Sequence, residues 1–266
     1  MHKLESCSCA VRRWFLVNDL LLNADKSEIM LVGTTQKLAK VDKQHTVNVS
    51  EVALPILSKV KSLGVNLDSQ LSFKSHVNAV SRACHYHIWA LRHIRHLLTQ
   101  DVAHTLARSI VMSKLDYCNA VLYESPKSSV AVLQRVQNSL ARVVLQQKKY
   151  ASASPLLQRL HWLPIDRRIR FKLAAITYKV RSTKIPAYLG DLLSDHSSGS
   201  SMTLRSSSRP LLSVDRVKTV YGSRAFRIAA PTIWNNLPVD IQLACSLNVF
   251  KKRLKTFLFT DAYDSQ

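Results

Sequence analysis

The chain has 266 residues, 47% of them hydrophobic, which is enough for one large domain or two to three small ones with buried cores. Lysine and arginine number 38 against 17 aspartates and glutamates, so the formal net charge is +21. This composition excludes a disordered tail. The charge favours a polyanionic partner, with nucleic acid ahead of a merely soluble cationic protein and of an acidic lipid or protein surface.

Cysteine usage and apolar runs bound the compartment. The five cysteines are scattered and odd in number, which is typical of reduced thiols in the cytosol or nucleus. No apolar run approaches the roughly 18–20 residues of a membrane span. Arg12 and Arg13 interrupt the first apolar stretch, which argues against a secretory signal. We therefore expect an intracellular protein of the nucleus or cytoplasm, neither secreted nor bound to a membrane.

The first 68 residues predict a small α+β unit. Helical spacing runs from Val11 to Leu22, and an apolar strand follows over 29–32. Alternating valines on both sides of Ser50-Glu51 predict a hairpin. A last strand is expected over 60–67, with a bulge or a close backbone approach at Gly64. Three or four short strands and one helix cover too little apolar surface for an independent fold. This unit therefore looks like part of a larger domain.

Helical periodicity begins at Phe73 and predicts a helical hairpin or bundle over 73–147. A first helix of about seven turns carries its apolar residues at three-, four- and seven-residue intervals. A second helix is expected from Gln100, with Asp101 as its cap and Val102, Leu106 and Ile110 on one side. A third, after Pro126, turns Arg135 and Arg142 outward. Its expected buried stripe is Leu133, Val136, Leu140 and Val143.

The remaining sequence predicts more helices and most of the cationic surface. Helices are expected near 154–161 and 166–182, and the Ser-rich stretch 197–208 is the best linker candidate. A final amphipathic helix places Phe250, Leu254, Phe257 and Leu258 inward and Lys251, Lys252, Arg253 and Lys255 outward. Between Arg142 and Lys184 eleven Lys and Arg face one acid, Asp166. The anion-binding surface should therefore lie in the C-terminal two-thirds.

The chain contains no complete catalytic constellation. Its five glycines form no GxxxxGK or GxGxxG string, which excludes a P-loop or Rossmann nucleotide site. No Ser, Cys or Thr stands in a recognisable nucleophile elbow. Two-metal phosphoryl transfer needs converging carboxylates, and the acids here are mostly isolated. Asp116 interrupts an apolar helix, and we expect it to be buried and to accept hydrogen bonds rather than bind a metal.

A cluster of zinc-ligand residue types falls on the first long helix. It consists of Cys84, His85, His87, His93 and His96. At 100° per residue, Cys84 and His87 share one side of the helix while His93 and His96 point largely the other way. Cys84 also belongs to the apolar stripe. We therefore expect a core cysteine beside exposed imidazoles, and no metal site.

Cations and aromatic rings adjoin on one predicted helix. Arg167, Arg168, Arg170 and Lys172 lie within about one and a half turns, close to Trp162, Phe171 and Tyr178. Guanidinium groups pair bidentately with phosphates, and aromatic rings stack on bases. We expect phosphate contact by the arginines. For the rings, stacking on bases and burial in the core remain equal alternatives.

Several strings, in order along nearly the whole chain, resemble reverse transcriptases of non-LTR (LINE-type) retrotransposons. The N-terminal strings are Trp14, Asn18-Asp19-Leu20-Leu21-Leu22-Asn23, Lys26-Ser27-Glu28 with Gly33, Leu63-Gly64-Val65, Leu67-Asp68, and Leu71-Ser72-Phe73 with His76. The later strings are Leu115-Asp116-Tyr117-Cys118-Asn119, Leu133-Gln134-Arg135-Val136-Gln137-Asn138, Leu160-His161-Trp162-Leu163-Pro164, Ala230-Pro231-Thr232-Ile233-Trp234-Asn235-Asn236-Leu237-Pro238, and Phe250-Lys251-Lys252-Arg253-Leu254-Lys255-Thr256.

The resemblance implies a mainly α fold in three parts. Residues 1–68 would be the α+β end of a polymerase palm, 69–150 a helical thumb, and 151–266 a basic, mostly helical nucleic-acid-binding region. Gly64 matches the primer-grip region, and Lys26 matches a basic position near the incoming triphosphate. The family's metal-binding aspartates, which include a YxDD-type loop, and its endonuclease domain match nothing here. The Mg²⁺ that the intact polymerase needs would then have no ligands in this chain, and Lys26 alone could not support turnover.

The resemblance therefore implies a truncated, catalytically incomplete RNA-directed DNA polymerase that retains binding of RNA, RNA–DNA or DNA duplexes. No catalytic residue and no metal ligand is assigned. The candidate nucleic-acid-binding residues are Lys26, Gly64, Arg92, Arg95, Arg135, Arg142, Lys148, Lys149, Arg167, Arg168, Arg170, Lys172, Lys251, Lys252, Arg253 and Lys255. One alternative is a helical interaction protein that binds the missing upstream part of the polymerase or a host factor, with an apolar patch on residues 1–68. The other is a remnant without function.

Overall fold

A computed structural model of the protein describes residues 2–40, 46–49, 52–196 and 209–263. Helices make up 62% of it and strands 9%, so the predicted mainly α class is confirmed. Contacts divide the chain into two compact units, 1–76 and 77–266. The predicted Ser-rich linker and the hairpin turn at Ser50-Glu51 lie outside the described residues. The division into three segments stays a prediction.

The first unit combines short helices with two small sheets. Its elements are α1 (His2–Val17), a 3₁₀ turn (Ala24–Lys26), β1 (Ile29–Met30), α2 (Thr35–Leu38), β2 (Thr46–Val49), β3 (Val52–Leu57), β4 (Lys59–Ser62) and β5 (Val65–Asp68). The central strand β3 pairs parallel with β1 and antiparallel with β2. The expected hairpin is thus confirmed by its strands, whereas β1 is shorter than the predicted strand 29–32. The strands β4 and β5 form a separate antiparallel pair.

The expected single strand over 60–67 is wrong. It consists of β4 and β5, which reverse direction at Leu63-Gly64. The φ angles there are 46° at Leu63 and 80° at Gly64. Two successive positive φ angles match the twist of a two-residue hairpin turn, and glycine adopts such a conformation without steric cost. Gly64 therefore serves a tight turn and not a bulge within one strand.

Asp68 organises the backbone that precedes the first long helix. Its Oδ1 accepts hydrogen bonds from the backbone N–H of Gln70 at 3.2 Å and of Ser72 at 3.0 Å. Its Oδ2 accepts from the backbone N–H of Phe73 at 2.9 Å and from the hydroxyl of Ser72 at 3.1 Å. A carboxylate satisfies backbone donors at a helix entrance in this way. The string Leu67-Asp68 to Phe73 thus has a structural role.

The second unit is helical, and its first helix, α3, begins just before it. The elements are α3 (Lys74–Ile94), a 3₁₀ turn (Arg95–Leu97), α4 (Gln100–Leu106), a π-helical segment (Ala107–Met112), α5 (Ser113–Asp116), a 3₁₀ turn (Asn119–Leu122), α6 (Lys127–Val144), α7 (Ala153–Arg159), α8 (Ile165–Thr183), α9 (Ala187–Gly190), α10 (Val220–Arg224), α11 (Phe226–Asn235), α12 (Val239–Gln242) and α13 (Leu247–Tyr263). Helix α8 packs against α6, α11 and α13, which makes it the centre of this unit.

Apolar periodicity predicted most of these helices and their buried faces. The helices expected near 154–161 and 166–182 are α7 and α8, and the first long helix ends at Ile94, before Leu98. The stripe predicted for α6 is buried, as are Phe250, Leu254 and Leu258 on α13. Phe257 is only half-buried. The cations of α13 lie outside, as predicted.

The expected face and cap of the second helix are wrong. Its buried residues are Ala103, Ala107 and Val111, whereas Val102 and Ile110 are 47% and 41% exposed. Small alanines allow close helix packing, and for this reason the buried face carries Ala103 and Ala107 while the larger Val102 and Ile110 are exposed. The cap is Thr99, whose side-chain oxygen accepts from the backbone N–H of Val102. In the described parts of the chain, no helix is long and apolar enough to cross a membrane.

Candidate nucleic-acid interface

A cavity of about 440 Å³ opens between the C-terminal ends of α3 and α6. We call it the basic cleft. Its walls are formed by Arg92, Arg95, His96, Ser139, Arg142, Val143, Gln146, Gln147 and Lys149. No carboxylate is among these residues, although three arginines and a lysine are. Because the positive charge is not compensated within the cleft, the cleft favours an anionic ligand.

Arg95 has a structural role in the cleft. Its side chain is 8% exposed, and its Nε and Nη2 donate to the backbone oxygen of Val144 at 3.0 and 2.7 Å. Its Nη1 donates to the carbonyl of Leu98 at 2.7 Å. The last carbonyls of a helix lack intrahelical donors, so Arg95 caps the end of α6. The expected phosphate contact by Arg95 is therefore replaced by a buried helix cap.

The other cations of the cleft are more accessible. Arg92 and Lys149 are exposed, as is the neighbouring Lys148. Arg142 is half-buried, and its Nε donates to the carbonyl of Ala151 at 2.9 Å, which orients the guanidinium. None of them forms an ion pair with a carboxylate in the described part of the chain. Their charges are thus available to an anion.

The arginines of α8 are engaged with acids. Arg167 bridges Asp166 at 2.9 Å and Asp261 of α13 at 2.8 Å, and Arg170 contacts Asp166 at 3.3 Å. Arg168 forms a two-pronged ion pair with Asp116, in which its Nε lies 2.8 Å from Oδ1. Arg167 and Arg168 thus join α8 to α13 and α5, whereas Arg170 pairs within α8, and the charge of all three is largely compensated inside the protein. The expectation that they point to phosphate did not anticipate the acids opposite them.

Asp116 and the nearby rings also differ in part from expectation. Asp116 accepts hydrogen bonds as expected, but its side chain is 39% exposed and not buried. Trp162 and Tyr178 are buried, which favours the core alternative for these two rings. The Tyr178 hydroxyl donates to the carbonyl of Ala244 at 2.6 Å. Phe171 is half-buried, in the wall of a second cavity.

This second cavity, of about 830 Å³, lies beside the π-helical segment. We call it the π-helix cavity. It is lined by His104, Thr105, Arg108, Ser109, Met112, Ser113, Asp116, Asn119, Leu160, His161, Trp162, Leu163, Arg168, Phe171, Lys172 and Lys255. The lining comes from the π-helical segment and the residues that flank it along the chain, from the α7–α8 connection, from α8 and from α13. Arg168, Lys172 and Lys255 are the predicted binding residues that meet here, and Arg168 is paired with Asp116.

His104 is held neutral in this cavity. Burial lowers its pKa, and the positive charges of Arg108 and Lys255 lower it further, while Asp101 acts in the opposite direction. The indole Nε1 of Trp162 donates to Nε2 of His104 at 3.0 Å. The acceptor nitrogen must be unprotonated, so this hydrogen bond requires the neutral imidazole.

The remaining predicted binding residues are dispersed. Arg135 lies on the exposed face of α6. Lys251, Lys252 and Arg253 lie on the exposed face of α13, where Nη1 of Arg253 donates to the carbonyl of Asp240 at 2.7 Å. Lys26, which is exposed, and Gly64, in a hairpin turn, belong to the first unit. The basic cleft and the π-helix cavity both lie in the second.

Sequence reasoning missed three residues that shape these sites. Arg108 and Asn119 line the π-helix cavity, and Asp261 pairs with Arg167. Arg108 lies on the helix whose face was misjudged, so correct placement of the alanine stripe would have marked it. Asp261 lies three turns of α13 beyond Lys251, and only tertiary packing brings it to α8. No sequence signal announced that pair.

Cys84 lies in the core, as its periodicity predicted. It is fully buried, and burial raises the pKa of its thiol to about 11. A metal-binding cysteine is a thiolate, and this environment disfavours that form. The described residues contain no group of three or more His, Cys, Asp or Glu side chains that could hold a metal ion.

Comparison with known proteins adds no family. No protein-family model, no curated protein and no solved structure matches the chain.

Proposed function

We propose that this protein binds RNA, RNA–DNA or DNA duplexes through the basic cleft, in the manner of the thumb and C-terminal region of a non-LTR reverse transcriptase. The observation that carries this proposal is the uncompensated charge of Arg92, Arg142 and Lys149. Cations that contact backbone phosphates do not contact the base edges, so the binding is expected to be independent of sequence. The resemblance noted above supplies the duplex class, and the net charge of +21 supports it.

The proposal is one of binding and not of polymerisation. The resemblance matches none of the chain's residues to the metal-binding aspartates of the family, and two-metal phosphoryl transfer depends on such carboxylates. We expect no nucleotide incorporation in a primer-extension assay with the purified protein and Mg²⁺ or Mn²⁺. Incorporation would contradict this part of the proposal.

Salt dependence tests the binding itself. Neutralisation of six to ten phosphates lowers affinity by roughly 10³–10⁵ between 50 and 200 mM salt. Fluorescence anisotropy with an RNA–DNA hybrid measures that slope directly. Binding that ignores salt, or no binding at low salt to RNA, hybrid or DNA, would remove the proposal.

A double variant locates the binding surface. Arg92→Gln with Lys149→Gln removes two exposed cations of the cleft and should reduce the salt slope by about two. The matched control is Lys127→Gln with Lys179→Gln, which removes two exposed lysines outside the cleft. Lys127 opens α6, about 25 Å along the helix from its C-terminal end. Equal losses in both variants would show that charge acts globally and not through the cleft.

A protein partner is a second candidate, favoured by the apolar surface of α1 and the chain that follows it. Trp14 is 60% exposed, Val17 77% and Leu21 83%. Exposed apolar residues in a group mark interaction surfaces. A partner that co-purifies after nuclease treatment, and is lost with Trp14→Ser plus Leu21→Ser, would support this function. Loss of every partner on nuclease treatment would speak against it.

A further inference from the structure

The π-helix cavity combines cations with a buried amide and aromatic walls. We propose that it binds one nucleotide, that is, an aromatic base that carries a phosphate. Its volume of about 830 Å³ lies within the range of small-molecule pockets, roughly 300–1,000 Å³. A duplex does not fit such a cavity, whereas a single nucleotide does. This site shares no lining residue with the basic cleft.

Three cations from different elements converge on the cavity. Arg108 comes from the π-helical segment, Lys172 from α8 and Lys255 from α13. Within the described residues, none of the three is paired with a carboxylate. Their charges therefore remain for a phosphate, which guanidinium and ammonium groups bind strongly.

The one acid in the lining does not cancel this charge. Asp116 is occupied by the two-pronged ion pair with Arg168, so that these two residues compensate each other. Arg108 and Lys255 both lower the pKa of His104, which is consistent with their place in the lining of the cavity. The cavity therefore keeps a positive excess.

Asn119 supplies the base-binding group. Its side chain is 4% exposed, and its Oδ1 has no hydrogen-bond partner. Its Nδ2 makes one long contact with Oδ1 of Asp116, at 3.4 Å. A buried acceptor without a donor costs stability, and a ligand amino group would satisfy it. An asparagine amide that pairs with the amino edge of adenine is a known recognition geometry.

The walls suit a flat ring. The half-buried Phe171 and His104 line the cavity together with the exposed His161, while the indole of Trp162 is fixed by its hydrogen bond to His104. Aromatic surfaces of this kind stack on bases of any sequence. The π-helical segment that carries Arg108 is itself a rare conformation that recurs at functional sites.

Isothermal titration of the whole protein with AMP tests the proposal. We expect AMP to bind more tightly than inorganic phosphate, because the base adds contacts. Purine riboside 5′-monophosphate lacks the amino group of AMP and should bind roughly threefold to tenfold more weakly, as loss of one hydrogen bond predicts. Asn119→Leu should abolish that difference, and its melting temperature reports whether the variant folds.

A second variant of the cavity leaves the buried Asn119 unchanged. Arg108→Gln with Lys172→Gln changes two exposed side chains and should weaken AMP binding by tenfold or more, while Lys127→Gln leaves it unchanged. The cleft variant Arg92→Gln with Lys149→Gln should also leave AMP binding unchanged. The proposal of duplex binding in the basic cleft and the proposal of nucleotide binding in the π-helix cavity can therefore fail separately.

The source of the nucleotide is distinguished with oligonucleotides. A hybrid with one unpaired 3′ adenosine is compared with a blunt hybrid of equal charge density, each with and without AMP. A preference for the unpaired end that Arg108→Gln with Lys172→Gln removes assigns the cavity to a strand end. AMP binding without such a preference assigns it to a free nucleotide. Absence of both overturns the proposal.

Discussion

Arg92 and Arg95 lie about one helical turn apart along the chain, and burial separates their roles. The exposed guanidinium of Arg92 is open to an anion, whereas that of Arg95 is occupied by backbone carbonyls. Arg168 is similarly occupied by Asp116. A count of cations from the sequence treats all three alike, because residue type does not reveal which donors are already satisfied. The available charge is smaller than the formal charge.

His104 provides a prediction at this scale. Its pKa is lowered in the folded protein, so the unfolded chain binds a proton more readily. The stability contributed by the neutral ring is present above the ordinary pKa of about 6.5 and is lost as the pH falls through the lowered value. His104→Gln keeps an acceptor for Trp162 without titrating. We expect its melting temperature to fall less between pH 7.5 and 5.0 than that of the unaltered protein.

Calorimetry at the two pH values measures this difference. The control is His96→Gln, which replaces an exposed imidazole outside the π-helix cavity. An equal fall in the unaltered protein and in both variants would contradict the role assigned to His104.

At the scale of elements, polar side chains on the helices hydrogen-bond to the backbone of neighbouring segments. Gln137 is fully buried in α6 and donates to the carbonyl of Leu163 at 2.9 Å. Gln134 accepts from the backbone N–H of Ile165 at 2.9 Å, which anchors the start of α8. On α11, the Trp234 indole donates to the carbonyl of Pro210 at 2.7 Å. Strings that carry the resemblance therefore supply hydrogen bonds between helices and the segments that connect them, where a polar partner must be placed accurately.

The cap on α6 provides the prediction for this scale. Arg95→Met keeps the apolar stem but removes three hydrogen bonds to buried or half-buried carbonyls. We expect the free energy of unfolding to fall by about 2–4 kcal/mol, because each carbonyl loses a charged donor. Arg92→Met, on an exposed position of α3, should change it by less than about 0.5 kcal/mol.

Urea unfolding measures both variants, and hybrid binding separates them further. Arg92→Met should weaken binding while stability is retained. Comparable stability losses in the two variants would contradict the assignment of Arg95 as a cap.

For the whole molecule, the excess of positive charge opposes folding through self-repulsion, and a bound polyanion relieves it. We expect an RNA–DNA hybrid at 100 times its dissociation constant to stabilise the protein by about 2.7 kcal/mol. For the helical unit 77–266, this stabilisation corresponds to a rise in melting temperature of roughly 5–10 °C. The experiment is a thermal melt followed by circular dichroism at low salt.

The cleft variant Arg92→Gln with Lys149→Gln is the comparison for this melt. It should show a clearly smaller rise at the same hybrid concentration. No rise at a saturating concentration of hybrid would argue against nucleic-acid binding by the folded state.

The sequence by itself determined the helical class, most helix positions and the buried stripes of α6 and α13. These follow from the spacing of apolar residues along the chain, which is a local property of the sequence. It also determined that Cys84 belongs to the core, since that residue shares the stripe of α3. The hairpin at Leu63-Gly64 escaped prediction because a short run of alternating residues does not show where a strand reverses.

Only the tertiary structure decided which cations are available. Asp116 and Asp261 are distant in sequence from the arginines of α8, and packing brings them together. The buried cap of Arg95 likewise depends on where α6 ends in space. The π-helix cavity is assembled from segments between His104 and Lys255. Charge is a property of each residue, whereas its compensation depends on neighbours that only the fold supplies.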